Sequence, residues 1–131
     1  MDLLQLENIV FTQLQTRVTA KLNSEYPDIS FSTEITDDVP SFPNVYIHEL
    51  NPMEIAGVLE QDTLRAIRDT IQIEVSTNTT KADARIVINA CIEAMKKLRY
   101  SITMLPLYQK NNNIHRFIIR AQRVVASGDK F

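Results

Sequence analysis

Few residues in this chain could do chemistry, and their spacing narrows what that chemistry would be. His48 sits in an alternating apolar segment and His115 follows the asparagine run 111–113. Neither has a second histidine, a cysteine or an acid at a metal-ligand spacing, so no metal centre is expected. Asp37 with Asp38, and Glu49 with Glu54, are the paired acids. Acid–base work needs burial to separate their proton affinities, and both pairs read as solvated residues of polar turns. Cys91 lies in an apolar helical stripe, where a thiol behaves as a small inert hydrophobe. No nucleophile elbow, zinc-protease helix or phosphate-loop pattern occurs. With two glycines, Gly57 and Gly128, there is little from which to build a backbone phosphate cradle. The expected catalytic, cofactor-binding and metal sets are all empty, and the chain is expected not to be an enzyme.

The arginines near the carboxyl end raise a different chemistry. Arg116 and Arg120 share a strand face, about 13 Å apart at a strand's rise per residue, whereas Arg123 has the opposite parity. Interleaved aromatics would make such a face a platform for single-stranded nucleic acid. The aromatic of this strand, Phe117, has the core parity, so salt bridges across strands or between subunits, to Glu74 or Asp69, are the expected use.

These residues need elements to hold them. A chain of 131 residues is expected to form one domain, 1–131, with a core that needs no metal or disulfide. Its 44% hydrophobic and 23% charged residues are ordinary for a globular protein. A net charge of -2 gives no general attraction to nucleic acid or anionic membrane. Leu3 to Leu6 lacks the basic leader and continuous apolar run of a signal peptide, and nothing approaches the ~20 apolar residues of a membrane span. With a single cysteine, this reads as a protein of a reducing cytoplasm.

Residues 2 to 23 place Leu3, Leu6, Val10, Phe11, Leu14, Val18 and Leu22 at helical spacing, and Pro27 ends the pattern. Short alternating runs at 29–33 and 45–48 predict two strands, read as a hairpin-like pair with a long connection. Asn51-Pro52 opens a predicted loop over 51–65 that nevertheless carries Met53, Ile55, Val58, Leu59 and Leu64. A long apolar loop in a compact domain points to contact with a neighbour. Ile67, Asp69, Ile71, Ile73 and Val75 then alternate with Arg68, Thr70, Gln72, Glu74 and Ser76, which predicts a strand with one dry and one wet face. Thr80 followed by Asp83 resembles a capping box, and Ala84, Val87, Ile88, Cys91, Ala94, Met95 and Leu98 form the stripe of a second helix. A closing hairpin follows, with Pro106 marking its first arm as an edge and Lys110 to Asn113 as its turn. Residues 127–131 read as a frayed end. The expected fold is α+β: a mainly antiparallel sheet of four to five strands with two amphipathic helices on one face.

Several segments, in order along nearly the whole chain, resemble the tail terminator (tail completion) proteins of tailed bacteriophages and prophages of Gram-positive bacteria. They are Leu22 with Tyr26-Pro27, Phe42-Pro43 with Val45-Tyr46-Ile47, the strand carrying Arg68, Thr70 and Gln72-Ile73-Glu74-Val75, Met95-Lys96-Lys97-Leu98-Arg99, and Arg123-Val124 with Ser127-Gly128-Asp129. The resemblance implies a small structural subunit of the virion that forms a ring, usually a hexamer, at the head-proximal end of the tail tube. Such a ring ends tube polymerisation and offers a surface to the head connector. Its partners would be further copies of itself, the tail tube protein and the connector or stopper protein, with no membrane and no sequence-specific nucleic acid. Under it, Ile55, Val58 and Leu59 would reach a neighbouring subunit or the tube, and Arg68, Glu74, Arg116 and Arg120 would make charged contacts there. The alternatives are a head-completion or stopper adaptor at the connector and a small nucleic-acid-binding domain.

Overall fold

The computed structural model describes residues 6–34, 41–54 and 66–126, with only the backbone for 6, 7 and 51–54. The elements run α1 (Leu6–Leu22), β1 (Ser30–Ser32), β2 (Asn44–Glu54), β3 (Ala66–Thr77), α2 (Lys81–Lys97), β4 (Ser101–Asn111) and β5 (Ile114–Ala126). Five strands form one sheet in the order β1-β2-β3-β5-β4. All pairs are antiparallel except β1 with β2. The α+β expectation holds: two helices and a mostly antiparallel sheet.

Strand β3 is the centre of the molecule because its dry parity is continuous. Ile67, Asp69, Ile71, Ile73 and Val75 are all buried, while Arg68 on the other parity is exposed. Phe117, Ile119, Ala121 and Val125 of β5 and Val45 and Ile47 of β2 bury the same face. Helix α2 lies over β3, β5 and β4 and packs beside α1. Its predicted stripe, Ala84 to Leu98, is buried at every one of its positions. Val10, Leu14, Val18 and Leu22, four residues apart along α1, complete the core. Burying a side chain of this size contributes roughly 1.5–3 kcal/mol, so this face holds most of the stability.

Local chemistry sets the ends of α2. Thr80 is the N-cap, in extended backbone, and its hydroxyl accepts from the Asp83 amide at 3.1 Å. The Asp83 side chain also binds the polar groups around the cap. Its carboxylate accepts from the hydroxyls of Thr79 (2.6 Å) and Tyr26 (3.0 Å), tying the turn after α1 to the start of α2. At the other end Arg99 takes φ 68°, and the Tyr100 amide returns to the Met95 carbonyl at 2.9 Å. This is a left-handed helix stop, occupied here by arginine where glycine is usual.

Two expectations need correction. Strands β1 and β2 are not a hairpin: they run parallel, with Ser30, Phe31 and Ser32 opposite Asn44, Val45 and Tyr46. Alternation shows which side chains share a face and is blind to strand direction. Here a connection over residues 33–43 is long enough to bring the chain back to the same end of the sheet. Hydrogen bonds from Asn44 Nδ2 to Ser30 Oγ (2.9 Å) and from Ser30 Oγ to the Ser41 carbonyl (2.6 Å) fix that pairing. Second, the loop does not begin at Asn51-Pro52. β2 continues to Glu54, and a register shift between Leu50 and Met53 accommodates the proline. Residues 55–65, with Ile55, Val58 and Leu59, lie outside the described residues, as do Asp37, Asp38 and 127–131.

Candidate functional site

The sheet face turned away from the helices holds most of the predicted contact residues. Arg68 and Glu74 stand on β3 and Arg116 and Arg120 on β5, all with the outward parity. Three of the four are joined. Arg120 Nε donates to Gln72 Oε1 (2.9 Å), Gln72 Nε2 donates to Glu74 Oε2 (3.3 Å), and Arg116 pairs with Glu74 Oε1 (3.9 Å). Arg116 Nε also reaches Ser76 Oγ at 3.4 Å, and Gln122 extends the row to Thr70 Oγ1 at 3.4 Å. The result is a polar ladder across the two central strands. It is half exposed, so each link contributes only a few tenths of a kcal/mol to about 1 kcal/mol. The links also hold the long side chains of Arg116, Gln72 and Arg120 in place.

Arg68 stands apart from that ladder. It lines a shallow recess of about 540 Å³ with Arg99, Ser101, Gln122, Arg123 and Val124 at the other end of β3 and β5. Two of its guanidinium groups belong to exposed residues and the third, Arg123, is buried and donates to the Leu98 carbonyl at 2.8 Å.

Apolar side chains border the ladder on the β4 side. Leu105 is 80% exposed and Leu107 49% exposed, while Val124 on β5 is 53% exposed. Leu107 stands opposite Ile118 and Met104 opposite Arg120, so an apolar margin runs beside the arginines. Pro106 lies within the second of two register shifts of β4, between Met104 and Leu107, and it removes an amide donor from this edge.

The face towards the helices contains a polar cluster that sequence reasoning did not assemble. Asp69 is fully buried and accepts from Tyr100 Oη at 2.6 Å. It therefore pairs with neither Arg116 nor Arg120, which stand on the opposite face, and its cross-strand neighbour is Arg123. Burial pushes the Tyr100 phenol far above the ordinary tyrosine range, and the charge of Asp69, its hydrogen bond and the charge of Glu49 add to the effect. The signal was present in the sequence: Asp69 has the dry parity, between Ile67 and Ile71, where a carboxylate requires a buried partner. Glu49 and Glu54 are strand residues of β2, not the turn acids expected.

The remaining candidates take structural roles. Tyr46 stacks on His48 with centroids 5.9 Å apart, on the open face. His115 Nδ1 lies 2.8 Å from Tyr108 Oη, and Lys81 Nζ sits 4.2 Å over the Tyr108 ring, which ties the start of α2 to the edge strand. Burial raises the Cys91 thiol to about 12. Burial first, and then the bond to Asp83, raise the Tyr26 phenol to about 12. Among the described residues no group of three or more His, Cys, Asp or Glu gathers to hold a metal, and no helix is long and apolar enough to cross a membrane. Comparison with known proteins gives no match to any family model and none to a curated protein.

Proposed function

We propose that this chain is a non-enzymatic structural subunit of a phage tail. Copies of it would form a ring, with six as the expected number, that caps the head-proximal end of the tail tube, stops its polymerisation and joins it to the head connector. The observation that carries the reading is the open sheet face: a pre-ordered row of Arg116, Glu74, Gln72 and Arg120 bordered by exposed Leu105 and Leu107. A rigid surface mixing arginine with apolar side chains suits protein docking, because little side-chain freedom is lost when it is covered. The ordered resemblance along nearly the whole chain supports the same reading. In it, Arg68, Glu74, Arg116 and Arg120 contact a neighbouring subunit or the tube, and Ile55, Val58 and Leu59 add apolar contacts there. The partners are further copies of the chain, the tail tube protein and the connector protein. The site of action is the neck of the virion, after assembly in the bacterial cytoplasm.

Deleting the gene from its phage or prophage and imaging the induced lysate by negative-stain electron microscopy tests this. Unjoined heads beside over-long or uneven tubes are expected. Tails of normal length beside unjoined heads would move the protein to a stopper role at the connector, and normal virions would remove it from the neck altogether.

A further inference from the structure

The recess at the end of β3 and β5 differs from the ladder in having no acid. Its wall carries guanidinium groups from Arg68, Arg99 and Arg123, with Ser101 and Gln122 among them. From Ala94 to Gly128 the chain has seven lysines and arginines and no acid, so little nearby in sequence offsets that charge. Asp69 follows Arg68 on β3 but turns to the helix side, opposite Arg123, where it takes the Tyr100 hydroxyl. An acid therefore stands beside Arg123. Arg68 and Arg99 are exposed, and neither has a hydrogen bond or ion pair among the described residues. Arg99 is also placed at a backbone cost: its φ of 68° is one that glycine takes freely and a side chain disfavours. Other groups close this helix end, since the Leu98 carbonyl accepts from Arg123 Nη1 at 2.8 Å and the Met95 carbonyl from the Tyr100 amide at 2.9 Å. An arginine kept where glycine would suit the backbone better points to a use for its side chain.

We infer that this recess binds a dianionic phosphate, free or esterified to a small molecule. Charge sets the class. Two guanidinium groups without a partner call for two negative charges, and each can donate a pair of parallel hydrogen bonds to phosphate oxygens. A single carboxylate would leave one guanidinium unmet, and a nucleic-acid strand brings one charge per phosphodiester. The Ser101 hydroxyl adds a neutral donor, and Gln122 uses one amide hydrogen on Thr70 Oγ1 at 3.4 Å and has another. The volume of about 540 Å³ falls in the range of small-molecule sites and exceeds what a bare ion fills. Val124, 53% exposed on the same wall, offers an apolar surface to the organic part of an ester. The inference goes beyond the proposed function and does not rest on it. Of the four charged contact residues named there, Arg68 alone lines the recess.

Isothermal titration calorimetry of the full chain with inorganic phosphate, at mildly alkaline pH and with chloride holding the ionic strength constant, tests the site. One phosphate should bind per chain, and adenosine 5′-monophosphate should compete with it. Equal affinity of the two would identify the bare ion as the ligand, and tighter binding of the nucleotide would identify an ester. Arg68→Gln and Arg99→Gly should each weaken phosphate binding at least about tenfold, as expected on losing a charge-assisted contact. Arg99→Gly also separates site from scaffold. Glycine suits a φ of 68°, so this variant should melt no lower than the parent in chloride while it loses phosphate. If it does melt lower, Arg68→Gln, which leaves the helix end intact, decides alone. Phosphate that does not bind saturably, or that binds either variant as tightly as the parent, would overturn the inference. A single-stranded oligonucleotide without terminal phosphates that displaces the ion with steep salt dependence would overturn it in favour of a strand-binding groove.

Discussion

At the scale of single residues, the polar groups on the helix side of the sheet are the most consequential. Asp69 is a carboxylate with no solvent exposure, and Tyr100 Oη is its hydrogen-bond donor at 2.6 Å. Tyr100→Phe keeps the ring and removes that donor, so the variant should lose about 1–3 kcal/mol in a denaturant titration; an unchanged midpoint would mean that another group satisfies the carboxylate. Asp83 acts at the surface in the same way. The Thr79 hydroxyl first, and then that of Tyr26, lower its pKa below the ordinary 3.8. A carboxylate whose folded pKa is lowered adds stability that is present above the unfolded value and lost as pH falls through the folded one. Asp83→Asn should therefore be less stable than the parent at neutral pH, and the gap should close as pH falls below about 4. A gap independent of pH would show that the amide loses packing and not charge. Sequence parity had placed Asp69 on the dry face but could not name its partner. Tyr100 comes from the far side of α2, thirty-one positions along the chain, and such long-range pairing leaves no periodic trace.

At the scale of elements, periodicity revealed most where burial is one-sided. The alternation of β3 and β5 and the stripe of α2 fixed which side chains face inward, because each register slip would expose an entire apolar set. It failed where geometry and not burial decides: the parallel sense of β1 against β2, and the passage of β2 through Pro52. Of the candidate site, the outward faces of Arg68, Glu74, Arg116 and Arg120 were legible, but their linkage was not, since Gln72 bridges Glu74 and Arg120 and no charge pattern marks a glutamine. The α2 stripe makes its own prediction. Cys91 is fully buried and its thiol is raised to about 12, so the reactive thiolate is scarce and unreachable in the folded state. A thiol-specific chromogenic reagent should label one equivalent at once in denaturant and react at least about a hundredfold more slowly with the native chain, as expected when labelling awaits opening of the core. Rapid native labelling would show that α2 lifts from the sheet more readily than its packing implies.

At the scale of the whole molecule, the sheet separates two jobs. The helix-covered face carries the core, and the proposed function gives the open face to contact with other chains. Stability and assembly should then be separable by mutation. Residues 55–65 connect two strands whose ends pair, Glu54 opposite Ile67, and the proposed function gives Val58 and Leu59 to a subunit or tube contact. Val58→Asp with Leu59→Asp adds two charges to that connection while leaving every core residue among the described residues unchanged. The double variant should keep the parent's circular dichroism and shift the unfolding free energy by no more than about 0.5 kcal/mol, as for surface changes generally. Expressed in a deletion background, it should fail to restore capped tails, because buried charge at a subunit or tube contact is costly when unpaired. Restored virions would remove residues 58 and 59 from the interface and leave the open sheet face to carry it. Loss of folding together with loss of tails would instead place the pair in the core, and the separation of face and function argued for this molecule would not hold at that end of the sheet.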